Sequence, residues 1–131
     1  MHTVKDWMVD LLVFVDPDAS VKEALNMMRR RYIHSILVNK SADNPDYGIV
    51  TSTDICDKII AEQRNPAVTK VREIMNSPII TINESEILID CVRTMKKHNI
   101  HHMPVVNAKN DLVGFISATD FMVAAEQLTQ E

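Results

Sequence analysis

Glycine is almost absent from this sequence, with 2 among 131 residues, and that scarcity removes the glycine-rich loops by which many proteins cradle phosphates. Neither a P-loop nor a glycine–serine nucleophile elbow is present. Cysteine is equally sparse. Cys56 and Cys91 stand alone, without Cys-x-x-Cys spacing, which fits reduced, buried thiols in a cytoplasmic protein. Basic residues are not in excess: 14 Lys and Arg face 18 Asp and Glu, so the electrostatic footprint of a nucleic-acid binder is missing. Long apolar runs are lacking too. Leu11 to Val15 falls far short of the ~20 residues of a membrane-spanning helix. The opening Met1-His2-Thr3-Val4-Lys5-Asp6 has no apolar core of a secretory signal. These absences point away from nucleic acid, membranes and catalysis, and toward the cytoplasm.

What is present is a duplication. With 46% apolar residues the chain is too hydrophobic to be disordered, and its length suits one domain or two small halves sharing a core. The two glycines occupy the same place in two copies of one motif, Gly48-Ile49-Val50-Thr51-Ser52-Thr53-Asp54 and Gly114-Phe115-Ile116-Ser117-Ala118-Thr119-Asp120. Upstream, Val4-Lys5-Asp6-Trp7-Met8 matches Val71-Arg72-Glu73-Ile74-Met75, and at that spacing Ala24, Met28, Ile33 and His34 fall on Cys91, Met95, Ile100 and His101. The spacing shortens by one before the glycine motif, so the first copy has an extra residue between Asn39 and Tyr47. A polar junction, Gln63-Arg64-Asn65-Pro66-Ala67, divides the chain into repeats 1–66 and 67–131.

Each copy reads as β-α-β-β-α. Short apolar runs, Leu12 to Val15 and Ile79 to Ile82, predict strands. A helix follows each. Ser20 with Glu23 forms a capping box ahead of the stripe Val21, Ala24, Leu25, Met28, and Leu88, Cys91, Val92, Met95 form the second stripe. Then come Ile36 to Val38 with Tyr47 to Val50, and Met103 to Val106 with Leu112 to Ile116, the latter pair joined by the polar turn Asn107-Ala108-Lys109-Asn110. Second helices close the copies near Thr53 to Gln63 and Thr119 to Leu128. Neither half easily buries both helix stripes alone, so the halves are expected to pack together.

The Thr/Ser-x-x-Asp segment carries the chemistry. Thr51 and Ser117 lie where a strand runs into a helix, whose first N–H groups are unpaired and suit an anion. A hydroxyl there adds a donor for phosphate oxygens. Asp54 and Asp120, three positions on, face the same side and can accept from the vicinal hydroxyls of a ribose. The same spacing is also a capping box that needs no ligand, worth on the order of 1 kcal/mol. Both readings stand, and they are compatible. His98, His101 and His102 lack the cysteines or carboxylates that would complete a metal site, so no metal is expected. His98, after Lys96 and Lys97, complements a helix C-terminus, as Arg29-Arg30-Arg31 do in the first copy.

Taken together, the duplicated element order, the Gly-φ-φ-Thr/Ser-x-x-Asp segment in both halves and His102-Met103-Pro104-Val105-Val106 resemble a tandem pair of cystathionine-β-synthase (CBS) domains, a Bateman module, over nearly the whole chain. The resemblance implies an α+β fold, with mixed sheets in two repeats related by a pseudo-twofold axis. It implies a regulatory module that binds an adenosine-containing ligand (AMP, ADP, ATP, or else S-adenosylmethionine or NADH) in the cleft between the repeats and signals to a separate effector protein. Residue by residue, Asp54 and Asp120 would meet ribose, and Thr51, Ser117, His34, His101 and His102 phosphate. Thr53, Thr119, Pro104 and Ile82 would be further contacts. The first copy departs from the pattern: Ser35 stands opposite His102 in the repeat, and Leu37 replaces the proline present as Pro104. The two sites need not bind equally. Ile55, Ile59 and Ile60, with Phe121, Met122, Ala125 and Leu128, leave apolar surface for a homodimer. A CBS-type dimer that binds no nucleotide and acts by docking is the alternative.

Overall fold

A computed structural model describes residues 2–128, except for the side chain of Leu128, whose expected place on an apolar face lies outside the described residues, as do Met1 and residues 129–131. The elements run α1 (Val4–Trp7), β1 (Phe14–Val15), α2 (Val21–Arg31), β2 (Ser35–Val38), β3 (Gly48–Thr51), α3 (Ser52–Asp54), β4 (Ile82–Asn83), α4 (Leu88–His98), β5 (His102–Val106), β6 (Leu112–Ser117) and α5 (Ala118–Leu128). The α3 turn continues as a π-helix over Ile55–Ile60, and a 3₁₀ turn spans Val71–Glu73.

The repeat appears as two three-stranded mixed sheets of one topology. In each, the first strand pairs parallel to the second and the second antiparallel to the third, in the orders β1-β2-β3 and β4-β5-β6. The amphipathic stripes read from the sequence face these sheets: Val21, Ala24 and Met28 of α2 are buried, as are Leu88, Cys91 and Met95 of α4. The Ser20 hydroxyl accepts from the Glu23 N–H at 3.1 Å and starts α2. Both helices stop without glycine. Tyr32 and Asn99 take left-handed conformations, φ 55° and 52°, and return their N–H groups to carbonyls of the last turn.

The compact units are cut differently from the sequence repeats. One comprises Val13–Ile79, the other Met1–Leu12 with Ile80–Glu131. The matching segments 4–8 and 71–75 are therefore exchanged: each completes the unit built on the other copy's sheet. Val4 is buried among Ile82, Leu88, Cys91, Met103 and Ile116, whereas Val71 and Ile74 are buried among Val15, Val21, Ile36 and Val50. Backbone bonds fix the exchange. Val9 and Phe115 each donate to the other at 2.8 Å, and Ile49 and Asn76 each donate to the other at 2.9 Å. These crossings pass directly over Gly114 and Gly48, where a side chain would meet the crossing segment. At the turn that opens α1, the Thr3 N–H and hydroxyl donate to Asp6 and hold its carboxyl below the usual carboxylate range.

Candidate ligand-binding site

Each unit has one corner at which the last strand turns into the closing helix, and the hydroxyl–aspartate motif makes that corner. At the second, the Ser117 N–H donates to Asp120 Oδ2 at 2.8 Å and the Ser117 hydroxyl donates to the same oxygen at 3.2 Å. Asp120 is half-buried, and its Oδ1 has no hydrogen-bond partner among the described residues. The Ala118 N–H donates to the His101 carbonyl at 3.1 Å, so His101 ties its own strand to the start of α5 while its side chain stays exposed. His102 sits directly across the ladder from Ser117. Strand register and one helical turn thus bring Ser117, Asp120 and the backbone of His101 and His102 to one corner.

The first corner starts from the same bonds and ends differently. The Thr51 N–H donates to Asp54 Oδ2 at 2.9 Å, its hydroxyl donates to the same oxygen at 3.2 Å, and the Asp54 N–H returns to the Thr51 hydroxyl at 3.4 Å. Ser52 donates to the His34 carbonyl at 2.9 Å, matching the His101 contact, and Ser35 faces Thr51 across the ladder. Two further groups then take up the carboxylate. The Asn76 amide donates to Oδ1 at 3.0 Å and Oδ2 at 2.9 Å, and Lys58 Nζ lies 3.0 Å from Oδ1. Lys58 also donates to the Ile74 carbonyl at 2.8 Å and to Asn76 Oδ1 at 3.3 Å. Asp54 is left 6% exposed. Thr51 and Asp54 thus meet in a corner that side chains of the same unit fill, and His34 reaches it only through its carbonyl.

Both motifs thus act as helix caps. Thr53 and Thr119 are exposed on the first helical turns. Of the further contacts the resemblance implies, Pro104 is fully buried opposite Phe115, and Ile82 packs in the core beside Val105. Sequence reasoning missed Lys58 and Asn76. Lys58 had a signal, since it lies four residues after Asp54 on the closing helix. For Asn76 the signal lay in the repeat itself, where its counterpart is the apolar Val9.

The model of the CBS domain matches this chain twice, over residues 4–61 and 71–126. The chain belongs to the CBS domain family. As a tandem CBS pair it is 29% identical to the CBS domain-containing protein YhcV of Bacillus subtilis, over 100% of this chain and 89% of that one. The hexameric CBS-CP12 protein from bloom-forming cyanobacteria superposes with a TM-score of 0.86 at 27% identity, covering 93% of this chain and 70% of that chain. The CBS domain pair of protein MJ0100, solved in complex with 5′-methylthioadenosine and S-adenosyl-L-methionine, gives a TM-score of 0.82 at 25% identity, covering 97% of this chain and 98% of that chain. Other curated relatives are longer. This CBS pair spans 54% of one archaeal protein, and only 23% and 22% of two homoserine O-acetyltransferases.

Among the described residues of the CBS pair, no group of three or more His, Cys, Asp or Glu is placed to hold a metal ion, and no helix is long and apolar enough to cross a membrane. Two surface hollows are present among the described residues. One, of about 950 Å³, is bordered by Arg29, Arg30, Tyr32, His34, Ser52 and Cys56. The other, of about 440 Å³, lies between α4 and α5 and is nearly all apolar. Neither is lined by Asp54 or Asp120.

The two thiols differ sharply. Cys56 is exposed, whereas burial, aided by the charge of Glu86, pushes the Cys91 thiol up to about 11. A thiol reagent at neutral pH is expected to label Cys56 alone in the native protein. Because folding raises the Cys91 pKa above its ordinary 9.0, its contribution to stability is complete below that pH. That contribution is lost as pH climbs toward 11. Melting curves across this range should fall more steeply for the wild type than for Cys91→Ala, and equal slopes would refute the assignment.

Proposed function

We propose that this CBS pair is a regulatory module that binds an adenosine-containing ligand at the Ser117–Asp120 corner and signals its occupancy to a separate protein, without catalysis. The observation that carries the reading is the unused oxygen of Asp120: a half-buried carboxylate, fixed by the Ser117 N–H, with one acceptor face left for a sugar hydroxyl. A ribose hydroxyl donating to Oδ1 gains a charge-assisted bond. The phosphate subsite follows from the same corner. The Ser117 hydroxyl has one proton, now given to Asp120, and it can turn to an anion without releasing the carboxylate, because the backbone N–H keeps hold of it. His102, across the ladder from Ser117, and the exposed His101 at the strand end are the imidazoles assigned to the phosphate in this reading. The complex of MJ0100 with two adenosine-derived compounds supports this ligand class. The homoserine O-acetyltransferase relatives do not extend their activity here, since this chain matches less than a quarter of their length.

The test is a thermal-shift panel with AMP, ADP, ATP, S-adenosylmethionine, NADH and GMP. A ligand at a hundred times its dissociation constant adds roughly 2.7 kcal/mol, a shift of several degrees. Adenosine compounds should raise the melting midpoint, and Asp120→Ala should abolish the rise while leaving a cooperative transition. No shift with any compound would sink the reading.

A second reading, the docking dimer, draws on the outer faces of α4 and α5. There Met122 is 73% exposed and Ile89 53%, with Val92 and Val123 nearby. A second copy of the chain is the proposed partner. Light scattering should then give twice the chain mass for the wild type and a smaller mass for Met122→Glu; a monomeric wild type would remove this interface.

A further inference from the structure

The two corners are built from one motif, yet only Asp120 keeps a carboxylate oxygen without a partner among the described residues, and the reason lies in two side chains that the second copy lacks. Lys58 corresponds to Ala124 and Asn76 to Val9. The structure bears out the second match, since Asn76 and Val9 make the same reciprocal backbone bonds to Ile49 and Phe115 over the two glycines. At the first corner these residues bring an ammonium and an amide to the carboxylate. At the second, a methyl and an isopropyl group occupy the equivalent positions and donate nothing.

The helix following each aspartate differs in step with this. In α5 the core-facing residue is Ala124, four after Asp120 and 1% exposed. In the π-helix it is Ile59, five after Asp54 and 2% exposed. The wider turn carries the fifth residue into the core in place of the fourth, and so leaves Lys58 beside Asp54 rather than beneath it.

We infer that Lys58 and Asn76 close the first corner to sugars, so that each chain takes a single adenosine-containing ligand, at Ser117–Asp120. The inference rests on the ligand reading above for what occupies the second corner. A carboxylate has about four lone-pair positions. Asp54 fills them with the Thr51 N–H and hydroxyl, the Asn76 amide and Lys58. A ribose would have to displace a charge-assisted bond and replace it with a neutral donor, and would strand Lys58 between carbonyl oxygens. With Asp54 6% exposed, there is also almost no surface for a sugar to approach.

The experiment is isothermal titration of the full chain with AMP and, separately, with S-adenosylmethionine. One ligand per chain is expected in the wild type and none in Asp120→Ala. The pair Lys58→Ala with Asn76→Val, which copies the second corner onto the first, should raise the count to two. Two ligands in the wild type, or a site that survives Asp120→Ala and disappears in Asp54→Ala, would overturn the closure. If the double variant does not fold, Lys58→Met keeps the packing stem and removes the charge; it should then weaken the melting transition yet admit a second ligand. If neither compound binds any variant, the ligand reading has failed, and the closure is judged by melting alone. Asp54→Ala must lower the midpoint by several degrees more than Asp120→Ala, and equal shifts would refute it.

Discussion

Gly114→Ala should cost about 3 kcal/mol of stability, whereas the same change at Gly48 should cost under about 1. The two positions are equivalent in the repeat, so the difference comes from what crosses above each. A methyl group at Gly114 would lie well inside 3.0 Å of the Val9 carbonyl oxygen, with the Val9 carbonyl carbon and Met8 Sδ each at 3.2 Å. That oxygen belongs to backbone bonded to Phe115 in both directions at 2.8 Å, so it cannot retreat without breaking the bonds that hold the N-terminal segment in its unit. At Gly48 the nearest atom is Met75 Sδ at 2.7 Å, toward the end of a flexible side chain that can change rotamer, and the Asn76 carbonyl is at 3.3 Å. Alanine also restricts the unfolded chain, which returns roughly 0.4–1 kcal/mol at either site. Urea denaturation decides the matter. Equal losses, or a larger loss at Gly48, would show that the crossing segments yield more easily than these contacts imply.

Much of this architecture was legible because duplication makes a sequence annotate itself. Gly48 and Gly114, Met28 and Met95, His34 and His101 fix the repeat by comparison alone, and the periods of α2 and α4 follow from their buried stripes. What stayed hidden is the exchange of the segments before each sheet. Val4-Lys5-Asp6-Trp7-Met8 carries the same pattern as Val71-Arg72-Glu73-Ile74-Met75, and a pattern shared by both copies cannot say which sheet each segment joins. The π-helix was hidden for a related reason. Ile55, Ile59 and Ile60 suit an apolar face of either an α- or a π-helical turn, and only the core position of Ile59, with Ile60 70% exposed, selects the wider one. In the site, one difference between the copies was legible, Ser35 and Leu37 against His102 and Pro104, but the difference around the carboxylate was not, because it resides in Lys58 and Asn76 outside the motif.

Asp54→Ala should destabilise the protein by about 3 kcal/mol, against about 1 for Asp120→Ala. Asp120 serves as a cap through one oxygen, and its loss leaves the Ser117 N–H and hydroxyl to water at a half-buried corner. Asp54 serves as a cap and as the anchor that draws the closing helix, through Lys58, and the crossing segment, through Asn76, onto one carboxylate. Breaking a fully buried pair costs about 3–5 kcal/mol, and the value here sits at the lower edge because the Lys58 side chain is 35% exposed and water can reach it. Asp54→Asn separates the two contributions. It keeps an acceptor for the Thr51 N–H but loses the charge that Lys58 faces, so it should fall between wild type and Asp54→Ala. The ordering is the informative quantity. If Asp120→Ala were the more costly change, the first corner would not be the structural one, and the assignment of fold support to Asp54 and ligand binding to Asp120 would reverse.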